Sequence, residues 1–563
     1  MPMTDSTKMR VDRALPWIWA LVLGSLLLGP ALGRGYVLSY DMVWVPDLAL
    51  RTDFLGVDSA LPRAVPSDAV VSVLDELVPG MLLQKLVLLM GLVAAGAGAA
   101  RLVGGAIGVR LVAVSVMVWN PFVVERLVLG HWPVLVGYAV LPWLVIAARR
   151  ARSTGPGPAL LLLVPLGCLS AGAGLVTSLV VLVIGWSARA RDNLLLLALV
   201  LAANAPWLVS GLIHSSDATS DPGAAALFAL RGEGHLPAVV TALGLGGVWN
   251  AEVVPTSREG VLGLVSTLVL VALCALGARR WWRAETSRDR VALLVLWTIG
   301  WGLAVLTWAA PGVIGWLAGH VPGGGLLRDG SRFLALCVPL LVILLAHGVT
   351  SLGARIRDHG VRTVAVVGLV LTPIALMPDA AWGVSGSLHA TEYPRGYADA
   401  AAAIADDTRD GDVVVLPFSA YRAPSWNQRH KVLDPLPRHL PRNYVVNDQL
   451  LVEDRMIAGE DPRVPKVLDA LDEPSPSARA RALAALGIRY VVSDASGPEA
   501  PPEVSGTVLS ASDPVTVIVL DEVAERATPG SWPWWMGLAW AAFLTPLAAG
   551  LVGALRTRRA RHV

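Results

Sequence analysis

The chain has few charged residues and almost no lysine. Only 16% of its 563 residues are Asp, Glu, Lys or Arg, against about 25% in soluble proteins. Its lysines are Lys8, Lys85, Lys431 and Lys466, so arginine carries nearly all of the positive charge. The apolar residues, 55% of the chain, occur in long blocks. This pattern excludes an ordinary soluble globular protein and indicates a polytopic membrane protein.

Cysteine is also scarce, and common catalytic motifs are missing. Cys168, Cys274 and Cys337 all lie inside apolar blocks, where cysteine usually acts as a small buried hydrophobic residue. Without a CxxC or Cys/His cluster, neither a disulfide framework nor a structural zinc site is expected. The polar C-terminal part has no GxSxG, no HExxH and no glycine-rich phosphate loop after a strand. These absences leave membrane-proximal side chains as the better candidates for chemistry.

Windows of about 20 apolar residues predict twelve membrane spans. These are residues 14–33, 82–100, 106–122, 133–148, 158–172, 173–187, 193–213, 260–278, 291–309, 332–349, 361–378 and 532–553. The pair at 158–187 is ambiguous, because Ser170–Gly174 either joins two short helices or lies within one kinked helix. The arginine clusters fall in alternate loops, which predicts that both termini are cytoplasmic.

The predicted fold is mainly α: a polytopic helical membrane protein of about 12 transmembrane helices with a C-terminal extracytoplasmic α/β domain. The membrane domain covers 1–378, with eleven helices and long outer loops at 34–81 and 214–259. The α/β domain covers 379–531, with strand-like runs at 412–418, 488–494 and 515–521. Residues 532–563 form the last helix and a basic tail. The expected location is the plasma membrane.

The first candidate site follows the first span, in "SYDMVWVPD". Asp41 lies at the membrane interface among aromatic residues, where desolvation raises a carboxyl pKa and favours a general base or a metal ligand. Asp47, directly after Pro46, is the second catalytic candidate, and its position is also typical of a turn or helix-cap acid. Asp41 itself has the alternative of being an ordinary loop acid.

Two further polar clusters border predicted spans. Glu125, Arg126 and His131 lie between two spans with very little loop, and charges at this depth are costly unless paired or functional. The alternative is a helix cap with an interfacial histidine. Arg328, Asp329 and Arg332 precede another span. If this segment is helical, Arg328 and Arg332 share one face and could bind a phosphate. Here the alternatives are snorkelling or pairing with Asp329.

A polar stretch at 417–450 is rich in Trp, Tyr, Arg, Asn and Asp. Such residues bind sugars by stacking and by hydrogen bonds, but they also occur in any long polar loop. The outer loop 214–259 contains acids and a tryptophan whose role the pattern does not indicate.

The layout resembles the GT-C superfamily of polyprenyl-phosphate-sugar-dependent membrane glycosyltransferases. The similar segments are "SYDMVWVPD", "NPFVVERLVLGHWPVLVGYAVLPW", "LLRDGSRF" and "LAALGIRYVVSD", and they look like those of actinobacterial and archaeal members related to arabinofuranosyltransferases. The resemblance departs in one respect. The first outer loop lacks the closely paired acids common in the superfamily, since Asp41 and Asp47 are six residues apart. A divalent metal ion is therefore an open question among possible cofactors.

The resemblance implies an inverting transfer at the outer face. A polyprenyl-phosphate-linked sugar would be the donor and a cell-envelope glycan or glycolipid the acceptor. Asp41 would deprotonate the acceptor hydroxyl. Arg328 and Arg332 would neutralise the phosphate leaving group, while Glu125, Arg126, His131 and Asp329 would line the substrate site. The partners are these substrates and the lipid bilayer, with no nucleic acid.

Two other functions fit the layout. Twelve spans suit a transporter or flippase of lipid-linked sugars, although the ionisable residues cluster at outer loops instead of at mid-helix, where coupling sites normally lie. A non-catalytic envelope-assembly protein would keep the layout and lose the catalytic acid.

Overall fold

The computed structural model of the protein describes residues 5–58, 64–216, 219–452, 455–459, 461–525 and 529–559. Within these residues, ten helices are long and apolar enough to cross a membrane. A helix suits this role because it satisfies its own backbone hydrogen bonds in lipid. The mainly helical membrane fold predicted from the sequence is confirmed. The last four residues of the predicted basic tail lie outside the described residues.

The α-helices of eight residues or more include counterparts of the predicted spans and several shorter helices outside them. They are Asp5–Leu28, Ser67–Leu74, Gly80–Val103, Ile107–Val118, Pro121–Val128, Trp132–Thr154, Pro158–Leu166, Ala171–Gly185, Ala190–Ile213, Val261–Ala284, Ser287–Ala309, Pro311–His320, Val338–Arg355, His359–Leu376, Arg395–Asp406, Val464–Leu471, Pro476–Ala485 and Trp532–Arg559.

The ambiguous segment 158–187 forms two short helices, Pro158–Leu166 and Ala171–Gly185. The break lies slightly earlier than expected, because Ser170 caps the second helix by accepting a hydrogen bond from the Ala173 amide at 3.4 Å. Neither helix reaches the length of a full span, which explains the difference between twelve predicted spans and ten long helices.

Close helix contacts are made at glycines. The helices Val261–Ala284 and Val338–Arg355 approach through Gly277 and Gly348. A Cβ at Gly277 would lie 2.1 Å from the Leu344 carbonyl oxygen, and one at Gly348 would lie 2.0 Å from that of Leu273. Small residues at helix crossings allow backbones to pack closely within membranes.

We call residues 379–531 the sheet region. It contains a mixed five-stranded sheet in the order Thr507–Ser512, Val515–Val519, Ile488–Asp494, Asp412–Leu416, Tyr444–Val445. The three two-stranded pairings are Tyr36–Val37 with Ala390–Thr391, Tyr421–Arg422 with Val432–Leu433, and Leu450–Val452 with Arg455–Ile457. The predicted strand-like runs at 412–418, 488–494 and 515–521 all contribute to the five-stranded sheet.

Both faces of this sheet are buried. Val413 and Val415 point into one apolar cluster, whereas Val414 and Leu416 point into another. Alternate residues of a strand face opposite sides of a sheet, so burial on both faces gives a continuous apolar run. The run "VVVL" therefore forms a central strand packed by helices.

The loop after the first helix is tied to the sheet region. Tyr36 pairs with Thr391 in a short antiparallel ladder. Further along, the Tyr40 amide donates to the Lys431 carbonyl at 2.9 Å, and the Leu433 amide donates to the Tyr40 carbonyl at 2.8 Å. These bonds hold the loop at the end of the helix bundle that carries the sheet region, which we call the sheet-side end.

Candidate active site

Asp41 lies at the tip of a tight turn wedged between the helix bundle and the sheet region. Its amide donates to the Leu129 carbonyl at 3.0 Å, where the helix Pro121–Val128 ends. Gly130, with a φ of +79°, lies directly beneath the turn, and a Cβ there would lie 2.0 Å from the Met42 amide nitrogen. Glycine is needed at this position both for its left-handed backbone and for the close approach.

The Asp41 carboxylate is held on both oxygens. His131 Nε2 lies 3.2 Å from Oδ2, and the Tyr421 hydroxyl donates to Oδ1. The side chain remains 43% exposed, so a substrate can reach it. His131 comes from the turn before the helix Trp132–Thr154, whereas Tyr421 comes from the sheet region. The membrane bundle and the sheet region therefore both position this carboxylate.

Arg126 fixes the tautomer of His131. An Arg126 Nη lies 3.1 Å from His131 Nδ1, and a guanidinium can only donate hydrogen bonds. Nδ1 must then be the acceptor, and the ring proton lies on Nε2, which faces Asp41. The result is a chain of donors running from Arg126 through His131 to the carboxylate.

Arg126 is anchored in turn by a buried ion pair with Asp329. Its two Nη atoms donate to the two oxygens of Asp329 at 2.8 and 3.1 Å, and these side chains are only 1% and 2% exposed. Ser331 also donates to Asp329, at 2.6 Å. Such a bidentate pair fixes the geometry of both groups.

Arg332 completes the cluster at its solvent-accessible side. Its Nε lies 2.9 Å from Asp329, and its side chain is 31% exposed. The sequence alternative of pairing with Asp329 is thus realised, while part of the guanidinium stays accessible. We call Asp41, His131, Arg126, Asp329 and Arg332 the charge cluster.

The electrostatics keep Asp41 ionised and His131 neutral. Burial raises the Asp41 pKa, but the hydrogen bonds from His131 and Tyr421 and the positive charge of Arg332 act against it, and the pKa lies below its ordinary value. Burial lowers the His131 pKa, and burial together with the charges of Arg332 and Arg126 outweighs the hydrogen bond and charge of Asp41, which raise it. Asp41 can therefore accept a proton near neutral pH. The expectation of a raised Asp41 pKa is wrong, because the surrounding donors exceed desolvation.

Asp329 is the most strongly stabilised anion of the cluster. Burial alone raises its pKa, but the charges of Arg126 and Arg332 and the bonds from Arg126 and Ser331 bring the pKa well below its ordinary range. Asp329 is thus a permanent counter-ion and not a proton carrier.

Two predicted site residues lie away from this cluster. Asp47 is exposed, and its charge acts on Asp75, whose carboxylate accepts from the Leu48 amide at 2.9 Å. Arg328 lies with its guanidinium 4.7 Å from the centre of the Phe228 ring. The expectation that Arg328 and Arg332 share one face of a helix is wrong. Gly324–Leu327 and Gly330–Cys337 are separate 3-10 helices, and the chain between them includes Asp329.

Glu125 belongs to a neighbouring buried network. It faces Glu233, which is paired with Arg258 at 2.7 Å, and both members of that pair are nearly fully buried. Glu125 Oε1 has no hydrogen-bond partner. Arg258 also donates to Ser266 at 2.8 Å, but its Nη2 has no hydrogen-bond partner.

Arg258 is one of the residues that line an apolar groove between helices. The groove encloses about 670 Å³, including its open part. Its walls come from the helices Ile107–Val118, Val261–Ala284, Val338–Arg355 and His359–Leu376, and they include Val112, Leu273, Leu345 and Leu369. Arg258 is also near Glu125, which directly precedes Arg126 of the charge cluster.

A divalent metal ion finds no suitable ligand set here. Among the described residues, no group of three or more His, Cys, Asp and Glu side chains could hold a metal. Both Asp41 oxygens already interact with His131 and Tyr421. The positive charges of the cluster are thus supplied by arginine side chains.

The sequence interpretation missed several residues that the fold brings to this end. Tyr421 lies in the stretch 417–450, where aromatic and polar residues were the only signal. Glu233, Glu252 and Arg258 lie in or next to the loop 214–259, where charged residues stood out without a readable role. The contacts of Tyr421 with Asp41 and of Glu252 with Tyr40 join chain segments more than 200 residues apart, whereas the Glu233–Arg258 pair lies within one loop.

The comparisons with known proteins give a fold but no close relative. No protein-family model and no curated protein matches the chain. Among solved structures, it is similar to the arabinofuranosyltransferase AftD from mycobacteria, with a TM-score of 0.55 and 16% identity over 92% of this chain. A mutant of AftD gives a TM-score of 0.56 at the same identity and coverage of this chain.

The likeness concerns only part of AftD. This chain spans 40% and 42% of the two AftD chains. At this identity the comparison establishes architecture only, because unrelated functions can share a fold. The structural neighbours thus agree with the resemblance seen in the sequence at the level of architecture: this chain shares the fold of the matching part of AftD.

Proposed function

We propose that the protein is an inverting membrane glycosyltransferase. It transfers a sugar from a polyprenyl-phosphate donor to a cell-envelope glycan or glycolipid on the outer face of the plasma membrane. The observation that carries this proposal is the accessible Asp41 carboxylate, whose low pKa is maintained by His131, Tyr421 and Arg332. AftD, which shares the fold, is an arabinofuranosyltransferase, and this supports a sugar-transfer reaction.

The charge cluster suits a single displacement. Asp41 accepts the proton of an acceptor hydroxyl, and that oxygen attacks the anomeric carbon of the donor. The bond between this carbon and the phosphate oxygen breaks, and the phosphate keeps the electron pair. Arg332, partly exposed beside Asp329, stabilises the leaving phosphate. Attack opposite to the leaving group inverts the anomeric centre.

His131 and Arg126 act as positioning residues in this mechanism. The Nε2 proton of His131 points at Asp41 and keeps the carboxylate in one orientation. Arg126 secures that tautomer, and Asp329 secures Arg126. Holding a base in its reactive geometry lowers the entropic part of the barrier. Glu125, which directly precedes Arg126, and Arg328, which lies against Phe228, remain predicted substrate contacts.

The apolar groove supplies a place for the donor's isoprenoid tail. Its walls are mostly aliphatic, and Arg258 is one of the residues that line it. A lipid bound there would bring its phosphate toward the arginines. This arrangement favours a lipid-linked donor over a soluble sugar nucleotide.

Arginines between two membrane helices support the proposed outer placement. The junction of the helices Val261–Ala284 and Ser287–Ala309 carries a cluster of five arginines, namely Arg279, Arg280, Arg283, Arg288 and Arg290. Such clusters mark cytoplasmic loops. The sheet region, at the other end, is then extracytoplasmic.

Transfer by purified protein in lipid nanodiscs tests the enzyme, with a panel of radiolabelled polyprenyl-phosphate sugars and envelope glycan acceptors. Asp41→Asn should lower transfer by about 10²–10⁴-fold, the usual contribution of a general base. Asp47→Asn is the matched control, because it makes the same substitution at an exposed acid of the same loop, and it should retain activity. Equal activity of wild type and Asp41→Asn would exclude Asp41 as the base.

Cysteine labelling tests the orientation. Ser425 is exposed in the sheet region, whereas Cys168 and Cys337 are buried. A Ser425→Cys variant in intact cells should react with a membrane-impermeant thiol reagent. Labelling only after the membrane is permeabilised would place the sheet region in the cytoplasm.

A further inference from the structure

Tyr40, the residue before Asp41, has an unusual backbone. Its φ is +46°, in the left-handed region that non-glycine residues seldom adopt. Backbone hydrogen bonds to Lys431 and Leu433 hold it in this conformation. Strained residues of this kind persist where neighbouring structure fixes them, and they concentrate at functional sites. Tyr421 contacts both residues of this turn, since its ring lies edge-on to Tyr40 and its hydroxyl donates to the Asp41 carboxylate.

Three segments of the chain surround the Tyr40 ring. The Tyr421 ring lies edge-on at 6.4 Å between ring centres. The Tyr40 hydroxyl donates to Glu252 of the loop 214–259. The Lys431 ammonium lies 5.9 Å from the centre of the Tyr40 ring. We call Tyr40, Glu252 and Lys431 the aromatic subsite.

The charged members of this subsite are accessible and balance each other. Lys431 Nζ lies 3.9 Å from Glu252 Oε2, and the two side chains are 47% and 64% exposed. An exposed pair of this kind contributes little to stability. Its opposite charges cancel at short range, yet it still offers a donor and an acceptor to a ligand.

The chemistry of the subsite matches a neutral sugar. An aromatic face packs against the C–H face of a sugar ring, as aromatic side chains bury apolar surface well. Glu252 accepts from one ring hydroxyl while Lys431 donates to its neighbour. A carboxylate or phosphate on the ligand would meet Glu252, and an amine would meet Lys431, so either net charge is disfavoured.

We propose that the aromatic subsite binds the acceptor and that the acceptor presents a neutral sugar ring there. The role of this sugar as an acceptor rests on the proposed function, whereas the binding of a neutral sugar at the subsite does not. Because Tyr40 and Asp41 are consecutive, a ring held against Tyr40 carries a hydroxyl to the Asp41 carboxylate. The strained turn thereby couples recognition of the sugar to its deprotonation.

Sugar binding without donor tests the subsite. Full-length Asp41→Asn protein in nanodiscs is titrated with neutral pentose and hexose tetrasaccharides and with tetragalacturonic acid, followed by saturation-transfer NMR. At least one neutral tetrasaccharide should bind more tightly than the acidic one. Tyr40→Leu in this background should weaken that binding by at least about fivefold, since the stacking face is lost. Glu259→Gln, at an exposed acid of the same loop, should leave it unchanged.

Variants of the two charged residues, Glu252 and Lys431, test the subsite without altering the strained turn at Tyr40. Glu252→Gln leaves Lys431 uncompensated and should shift preference toward tetragalacturonic acid, whereas Lys431→Met should weaken neutral and acidic sugars alike. The proposal is overturned if the acidic tetrasaccharide binds best to the parent protein. It is also overturned if neither charge variant alters binding.

Kinetics separate this proposal from the proposed function. With otherwise wild-type protein, Glu252→Gln should raise the acceptor KM with little change in kcat. If neutral sugars bind at the subsite but no donor supports transfer, the glycosyltransferase proposal fails and the sugar site stands. If transfer occurs but the variants leave both KM and sugar binding unchanged, only the subsite is wrong.

Discussion

The buried Arg126–Asp329 pair makes a quantitative prediction. Replacing Asp329 with Asn removes the negative charge that receives both Nη atoms of Arg126, leaving a guanidinium that is only 1% exposed without its counter-ion. Breaking a buried ion pair in this way typically costs about 3–5 kcal/mol of unfolding free energy. Arg332, on the accessible side, cannot offset the loss because it is also positive.

The partner variant should behave similarly, and the two should not be additive. Arg126→Met leaves Asp329 buried with Arg332 as its remaining cation, at a cost of the same order. The double variant removes both buried charges, so neither is left without its counter-ion. It should therefore cost less than the sum of the single variants, by about 1–3 kcal/mol.

Unfolding of the purified protein in detergent micelles, followed by the fluorescence of its 21 tryptophans, measures the three free energies. Asp47→Asn, at an exposed acid, serves as the control and should change stability by less than about 0.5 kcal/mol. The reasoning is refuted if the single-variant costs add to within about 0.5 kcal/mol, because the pair would then not act as a unit.

Three other perturbations follow from the site. Tyr421→Phe removes a hydrogen bond that lowers the Asp41 pKa, so the acid limb of the kcat/KM profile should move to higher pH; an unmoved limb contradicts the contact. Gly130→Ala forces a Cβ against Met42 and should abolish transfer with normal membrane insertion, whereas Gly91→Ala, which has open space, should be neutral. Burial, opposed by the charge of Arg422, raises the Asp434 pKa to about 6. The folded protein therefore favours the protonated form of Asp434, and the free energy of unfolding is greatest below about pH 4 and falls by up to about 3 kcal/mol as the pH rises through 6. Asp434→Asn should make the free energy of unfolding nearly independent of pH between pH 4 and 7.

Local patterns predicted much of the architecture. The span at 260–278 became the helix Val261–Ala284, because a long apolar block has no other stable state in lipid. The strand run at 488–494 became a strand with the same bounds. The segment 158–187 resisted prediction, since its helices are shorter than a span and a capping serine decides the break.

The site was partly visible in the sequence. Asp41, Arg126, His131, Asp329 and Arg332 stood out because charged residues are costly at membrane boundaries. Their mutual contacts did not, since Arg126 and Asp329 are separated by 203 positions. The pKa of Asp41 was expected in the wrong direction, because the donors that lower it come from remote segments.

The sequence by itself determined that this chain crosses a membrane many times and where its polar residues border the spans, because hydropathy and helix geometry act over one helix length. The tertiary structure alone decided that Asp41 lies against His131 and Tyr421, that Asp47 and Arg328 lie elsewhere, and that Tyr40 is held in a left-handed turn. Those arrangements depend on hydrogen bonds and ion pairs between distant segments, and such pairings are set by how the helices and the sheet region pack.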